Sequence, residues 1–190
     1  MRNVCLPKKE YGMKKTCWVI YDKKRYEENE WFAMRLISAG EKHFNMRLVM
    51  AEDIYIHIID GKITIDTDGY KLCEIAIVRT CDPLLSHTLE ALGIRVFNSA
   101  LVSDVFNDKR KTYLAVEKDV PILDVLLCDK KSFDIKSCEN MDFPVVIKSA
   151  AGHGGNEVWR VNDASELSDK INEIVCDGFV IQKLCENMKG

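Results

Sequence analysis

The chain has 190 residues, with 27 Lys and Arg against 30 Asp and Glu for a formal charge of −3, and it is 47% hydrophobic and 30% charged. That balance is ordinary for a folded domain and excludes a general nucleic-acid binder, which needs a basic surface. No apolar run approaches the roughly 20 residues of a membrane helix, and no secretory signal is read at the N-terminus.

Residues 1–12 are polar and unpatterned and read as a tail before Met13. "KTCWVIY" (15–21) is a β-rich apolar run. A helix is expected next, with Trp31, Met34 and Ile37 at helical spacing, Phe32 and Leu36 beside them, and Gly40 as its stop. "MRLVMA" reads as a strand. "IYIHIIDGKITIDTDG" alternates on both sides of Asp60-Gly61, a strong hairpin signal. "CEIAIVRT" has the continuous apolar character of a strand buried on both faces. "LLSHTLEALG" reads as a helix ending at Gly93, and "IRVF" as a strand. Strand and helix alternate, which predicts an α/β domain with a mainly parallel sheet. No G-x-G-x-x-G follows the first strand, so a standard dinucleotide fold is not expected.

The character changes near residues 99–108. Two helical segments pass Asn107-Asp108, Pro121 marks the helix exit, and "VLLC" follows. "KSFDIKSCENMD" is a polar connection with helical potential. After "FPVVIKSAAGHGGNEVWRV" comes a helix with Asp163 and Glu166 as N-cap and N3. Leu167, Ile171 and Ile174 line one of its faces, and Gly178 is its expected end. "FVIQKLC" is the last strand.

Eight cysteines, at positions 5, 17, 73, 81, 128, 138, 176 and 185, form no C-x-x-C pair. Several lie in apolar runs, so free thiols in a reducing cytoplasm are expected. The ligand spacing of a zinc site is absent, the four histidines are scattered, and no metal site is predicted.

Gly152, Gly154 and Gly155 separate two strand-like runs. Backbone N–H groups in such a loop can approach phosphate closely. A Walker A or Rossmann loop would lead into a helix; this one leads into a strand, which leaves either a flap over a nucleotide or an ordinary hairpin turn. Residues two apart on a strand share a face, so Val146 and Lys148 give one face an apolar wall and a cation. His153 is either a phosphate contact or a solvent-facing loop residue. Arg79 and Asp82, at the end of a buried strand, are either substrate contacts or a surface arginine and a helix cap.

Asp108-Lys109, Pro121, the Pro144-to-Lys148 strand, the Gly152-to-Gly155 loop and Gln182-Lys183-Leu184-Cys185 occur in the order found in the ATP-grasp superfamily. The chain resembles it strongly from about Val96 onward, with the RimK-like α-L-glutamate ligases as the nearest branch. The resemblance implies an α/β pre-ATP-grasp domain at 13–103 and an α+β ATP-binding lid at 104–185. In it Lys109 and Lys148 would contact ATP phosphates beneath the loop Ser149 to Gly155. Gln182 would stand beside a hinge, Lys183 to Cys185, offering backbone groups to adenine; the family commonly has an acidic residue where Lys183 stands. It further implies a magnesium-dependent ligase joining a carboxylate to an amine through an acyl phosphate. The magnesium ligands would lie in a C-terminal part that residues 186–190 would only begin, so the chain reads as an N-terminal portion inactive alone. A D-alanine–D-alanine ligase relative and a non-catalytic nucleotide-binding module are the alternatives.

Overall fold

A computed structural model describes residues 14–67, 69–138, 141–152, 154–155 and 157–185. The chain divides into two compact units, one ending at Ala100 and the other starting at Leu101. Among the described residues no helix is long and apolar enough to cross a membrane.

The first unit is built on a four-stranded parallel sheet of order β2-β1-β5-β6. Its strands are β1 (Thr16–Tyr21), β2 (Asn45–Met50), β5 (Ile75–Val78) and β6 (Arg95–Phe97). β1 is central and buried along nearly its whole length, as its unbroken Cys-Trp-Val-Ile-Tyr run requires. Trp18 and Ile20 point into one cluster with Leu85 and Leu89, whereas Val19 and Tyr21 point into another with Ala33. Helix α1 (Lys23–Gly40) covers the second face and α2 (Pro83–Ala91) the first.

Two sequence expectations need correction here. The inward stripe of α1 is Ala33, Leu36 and Ile37, whereas Trp31 (70% exposed) and Met34 (50% exposed) face outward. The small Ala33 lets the helix lie close on the sheet, which the larger residues would prevent. β5 is fully buried on only one face: Ala76 and Val78 are buried, but Ile75 and Ile77 are half-buried. The hairpin falls as its turn chemistry dictates. β3 (Tyr55–Ile59) and β4 (Lys62–Asp66) pair around Asp60 (φ 49°) and Gly61 (φ 73°), the double positive-φ turn that matches strand twist.

The second unit carries an antiparallel sheet of order β7-β10-β8-β9. Its strands are β7 (Val125–Asp129), β8 (Val145–Ser149), β9 (Val158–Val161) and β10 (Gly178–Lys183). Helices α3 (Ala100–Phe106) and α4 (Lys109–Val116) break at Asn107-Asp108, where Asp108 caps α4 by accepting from the Arg110 N–H at 2.8 Å. α5 (Ala164–Glu173) begins at Asp163, which accepts from the Glu166 N–H (2.9 Å), while Glu166 reaches back to the Asn162 N–H (2.8 Å). Leu167, Ile171 and Ile174 seal the core against Val145, Ile147, Phe179 and Ile181. Gly178 is not the helix stop. α5 ends at Glu173, and Gly178 opens β10 directly beneath the Arg110 guanidinium, which a Cβ there would displace.

Leu167 is fully buried and Val175 is 92% exposed. Leu167→Ala is expected to destabilise the fold by about 2–5 kcal/mol, and Val175→Ala by less than about 0.5 kcal/mol, measured by denaturant unfolding followed by circular dichroism. Equal midpoints would show that α5 does not seal this core.

Candidate functional site

Period-two alternation in β8 sorts its residues cleanly. Val145, Ile147 and Ser149 are buried on the α5 side, and Val146 and Lys148 are half-buried on the other. β10 lies beside β8 with Gln182 opposite Val146 and Val180 opposite Lys148. The Lys148 ammonium therefore reaches Gln182 across the ladder and donates to its Oε1 at 2.5 Å. The same oxygen accepts from the Tyr113 hydroxyl of α4 at 3.1 Å. One amide oxygen thus holds both donors and fixes the direction of the lysine.

Lys109 comes to the same region from the first turn of α4. Its backbone N–H donates to the Ala150 carbonyl at 2.9 Å, and its ammonium donates to the Gly152 carbonyl. Burial pushes the Lys109 pKa down, attraction from Glu157 opposes that, and repulsion from Lys148 adds to it. Burial also pushes the Lys148 pKa down. Two partly desolvated, mutually repelling ammonium groups are costly without an anion.

The loop between β8 and β9 has the conformations that glycine permits. Gly154 (φ 66°) and Gly155 (φ 79°) are left-handed, and a Cβ on Gly152 would lie 2.8 Å from Glu157 Oε2. The loop is anchored by main chain at its entry: Ser149 N–H to the Glu157 carbonyl (3.0 Å) and Ala150 N–H to the Gly178 carbonyl (2.9 Å). His153 lies outside the described residues, as do 186–190.

At the other end of β8, Val145 pairs with Lys183. Three residues at about 3.3 Å each, roughly 10 Å, separate that pair from Lys148 along the strand, about the length of a nucleoside. A cleft of about 600 Å³ opens at this end, lined by Ile122, Leu123, Asp124, Phe143, Pro144 and Lys183 to Cys185, among others. The Lys183 N–H is taken by the Asp124 carbonyl at 3.0 Å, so of its two backbone groups only the carbonyl is left for a ligand.

Three participants were missed from sequence. Tyr113 is one. Arg110 is another: it forks onto Asp108 (2.7 Å) and donates to the Cys128 carbonyl (3.2 Å). The third is Cys176, whose thiol lies 3.1 Å from Ser149 Oγ and donates to the Gly178 carbonyl at 2.9 Å. Only Tyr113 left a trace, being four residues after Lys109 and so on the same helix face. Burial alone would raise the Cys176 pKa. The Ser149 hydroxyl and the backbone of Ala151, Gly178 and Ala150 outweigh it and bring the pKa down. Burial pushes Cys73 and Cys128 up to about 12. No disulfide joins any two of the seven described cysteines. In the first unit Asp82 caps α2 by accepting from the Leu84 N–H (2.9 Å), and the Arg79 guanidinium lies 5.4 Å from the centre of the Phe32 ring.

No family model matches the chain. An uncharacterized protein, MG011 homolog, of Mycoplasma pneumoniae is 29% identical over 152 residues, covering 78% of this chain and 47% of that relative. The crystal structure of a RimK domain protein ATP-grasp from Sphaerobacter thermophilus superposes with a TM-score of 0.64 at 19% identity, over 90% of this chain and 64% of that one. D-alanyl-alanine synthetase A from Vibrio cholerae gives a TM-score of 0.71 at 13% identity, over 92% and 60%. The chain has the ATP-grasp fold, with an α/β unit followed by an α+β unit. That fold is shared by RimK-domain and D-alanyl-alanine-ligase proteins alike. The chain spans about half the length of the curated relative it matches and under two thirds of each of these structures.

Burial would raise the Asp108 pKa, but hydrogen bonds from the Arg110 side chain and backbone bring it below its ordinary value. The stabilisation is therefore present at neutral pH and lost as pH falls through the lowered value. Asp108→Ala is expected to cost about 1–2 kcal/mol at neutral pH through loss of cap and ion pair. Asp108→Asn keeps a capping oxygen and should cost less, and its deficit should begin to shrink only below about pH 4 and disappear once the pH has fallen through the lowered value. Urea unfolding across pH 3–7 reads both. In a separate measurement, native alkylation by iodoacetamide at neutral pH should reach Cys176 well before Cys73 and Cys128, as read by peptide mass spectrometry.

Proposed function

We propose that the chain is the ATP-binding portion of an ATP-grasp carboxylate–amine ligase of the RimK-like kind. The observation that carries this reading is the closeness of two partly desolvated ammonium groups at the entry to the glycine loop, Lys109 on the Gly152 carbonyl and Lys148 on Gln182 Oε1, with charge that the protein itself leaves only partly compensated. A polyphosphate there would relieve both desolvation and repulsion, and left-handed glycines at Gly154 and Gly155 suit a loop whose N–H groups face an anion. The adenosine would extend toward the cleft at Lys183 to Cys185.

In the reaction, a substrate carboxylate oxygen attacks the γ-phosphorus of ATP and ADP leaves. An amine then attacks the acyl carbon, phosphate leaves, and an amide bond remains. The roles of this chain are to hold the nucleotide and to stabilise charge on the transferring group through Lys109, Lys148 and loop N–H groups. The described residues hold no group of three or more His, Cys, Asp or Glu side chains placed for a metal ion. The magnesium that the resemblance implies is expected to be held by residues of a C-terminal part, and no step is derived through it. A reducing cytoplasm suits the free thiols. The likeness to D-alanyl-alanine synthetase A supports a second reading, in which the ligase belongs to that branch.

Calorimetric titration with ATP tests the nucleotide assignment. Lys148→Ala should lose a charge-assisted contact worth about 1.5–3 kcal/mol, roughly ten- to a hundredfold in affinity. Gly154→Val should also weaken binding, because a β-branched residue resists positive φ. Lys131→Ala, an exposed control, should bind as wild type. If both site variants bind as tightly as Lys131→Ala, the loop is only a turn between strands.

A further inference from the structure

The sheet order β2-β1-β5-β6 reverses direction between β1 and β5. In open parallel sheets the crevice outside the carboxyl ends of two such strands collects ligands, because the connections leave it on opposite sides. β1 exits into Asp22 and the first turn of α1, which carries Arg25. β5 exits into Arg79 and Cys81. The two exits meet where Arg25 Nη2 donates to Cys81 Sγ at 2.8 Å. The other edge of Arg25 is partly occupied, with Nε 3.4 Å from Asp22 Oδ2. Asp22 also spends Oδ1 on the Arg25 N–H as the cap of α1.

A thiol sulfur is a weak acceptor, so the edge of Arg25 that faces it is poorly satisfied, and an oxyanion would serve it better. Arg79 approaches from the β5 side with its guanidinium 5.4 Å from the Phe32 ring centroid. A cation–π contact is a charge–quadrupole attraction that needs no hydrogen-bond acceptor, so the N–H donors of the guanidinium can still serve an anion. No ion pair of Arg79 occurs among the described residues, and the neighbouring Asp82 carboxylate is turned to the start of α2. Both guanidinium groups act on the Cys81 thiol: burial raises its pKa, Arg25 lowers it, Asp22 raises it and Arg79 lowers it. Two cations from two strand exits thus act on one sulfur at the switch point, Arg25 by direct contact and Arg79 through its charge.

We propose that Arg25 and Arg79 form a carboxylate-binding site at the β1/β5 switch point of the first unit. On the ligase reading, on which this substrate assignment rests, the bound group is not the reacting carboxylate, since oxygens held by two guanidinium forks are poor nucleophiles. The substrate of the ligase then carries a second acidic group, which this pair recognises while the other is activated.

The probe is glutarate, titrated into the full chain without nucleotide and at constant ionic strength, with the arginine side-chain N–H resonances followed by NMR. Arg25→Lys and Arg79→Lys identify the two signals by their disappearance. Both signals are expected to shift saturably with glutarate and not with the neutral glutaramide. Arg25→Gln and Arg79→Gln should each weaken glutarate binding about tenfold. The proposal is overturned if wild type responds equally to sodium chloride, if inorganic phosphate saturates the signals and glutarate does not, or if Arg79→Gln binds within twofold of wild type. The wild-type comparison of glutarate with glutaramide decides the matter even where a variant fails to fold. Loss of ATP binding with glutarate binding intact would count against the ligase reading alone.

Discussion

Two like charges held close together, partly out of water, organise the second unit. Lys109 and Lys148 come from a helix start and a strand, and each ammonium is turned inward by a specific oxygen: the Gly152 carbonyl for one, Gln182 Oε1 for the other. Folding alone would not favour this arrangement, because desolvation and repulsion both oppose it. The surrounding framework maintains it. The alternation of β8 commits Val145, Ile147 and Ser149 to the core and forces Lys148 to the opposite face. The Asp108 cap fixes where α4 starts and so where Lys109 stands. Stability invested in the core is used to hold charge ready for a ligand, a common trade at functional sites.

The first unit uses a different device. Its sheet is parallel and its connections diverge, so chemistry gathers at one end of the strands rather than on a face. The Arg25–Cys81 contact ties the exits of β1 and β5 across 56 positions of sequence. Each unit therefore presents cations to its surroundings, on a scaffold whose other residues are spent on packing.

Features governed by local chemistry were legible in the sequence. Asp60-Gly61 fixed the hairpin, because few residues accept two successive positive φ values. Asp163, Asp108 and Asp82 each cap a helix, and the period of two in β8 put Val146 and Lys148 on one face. What could not be read depends on distant partners. Tyr113 meets Gln182 across 69 positions, and Cys176 meets Ser149 across 27. Gly178 looked like a helix stop, yet it opens a strand beneath Arg110, a residue that no local pattern connects to it. The outward turn of Trp31 and Met34 follows from how closely Ala33 lets α1 approach the sheet, a packing fact invisible to hydrophobic spacing.

The peptide groups flanking Ala150 accept from Lys109 and donate to Gly178, so α4, β10 and the loop are joined through main chain alone. Main-chain atoms are the same whatever the side chain. A junction of this kind places almost no demand on which letters occupy it, beyond their being small enough for the strands to close. Sequence can therefore drift a long way while the geometry around the loop persists. Folds matched at 13–19% identity are what such tolerance allows. It also means that divergence in the loop's neighbourhood is a poor guide to whether the site has been lost.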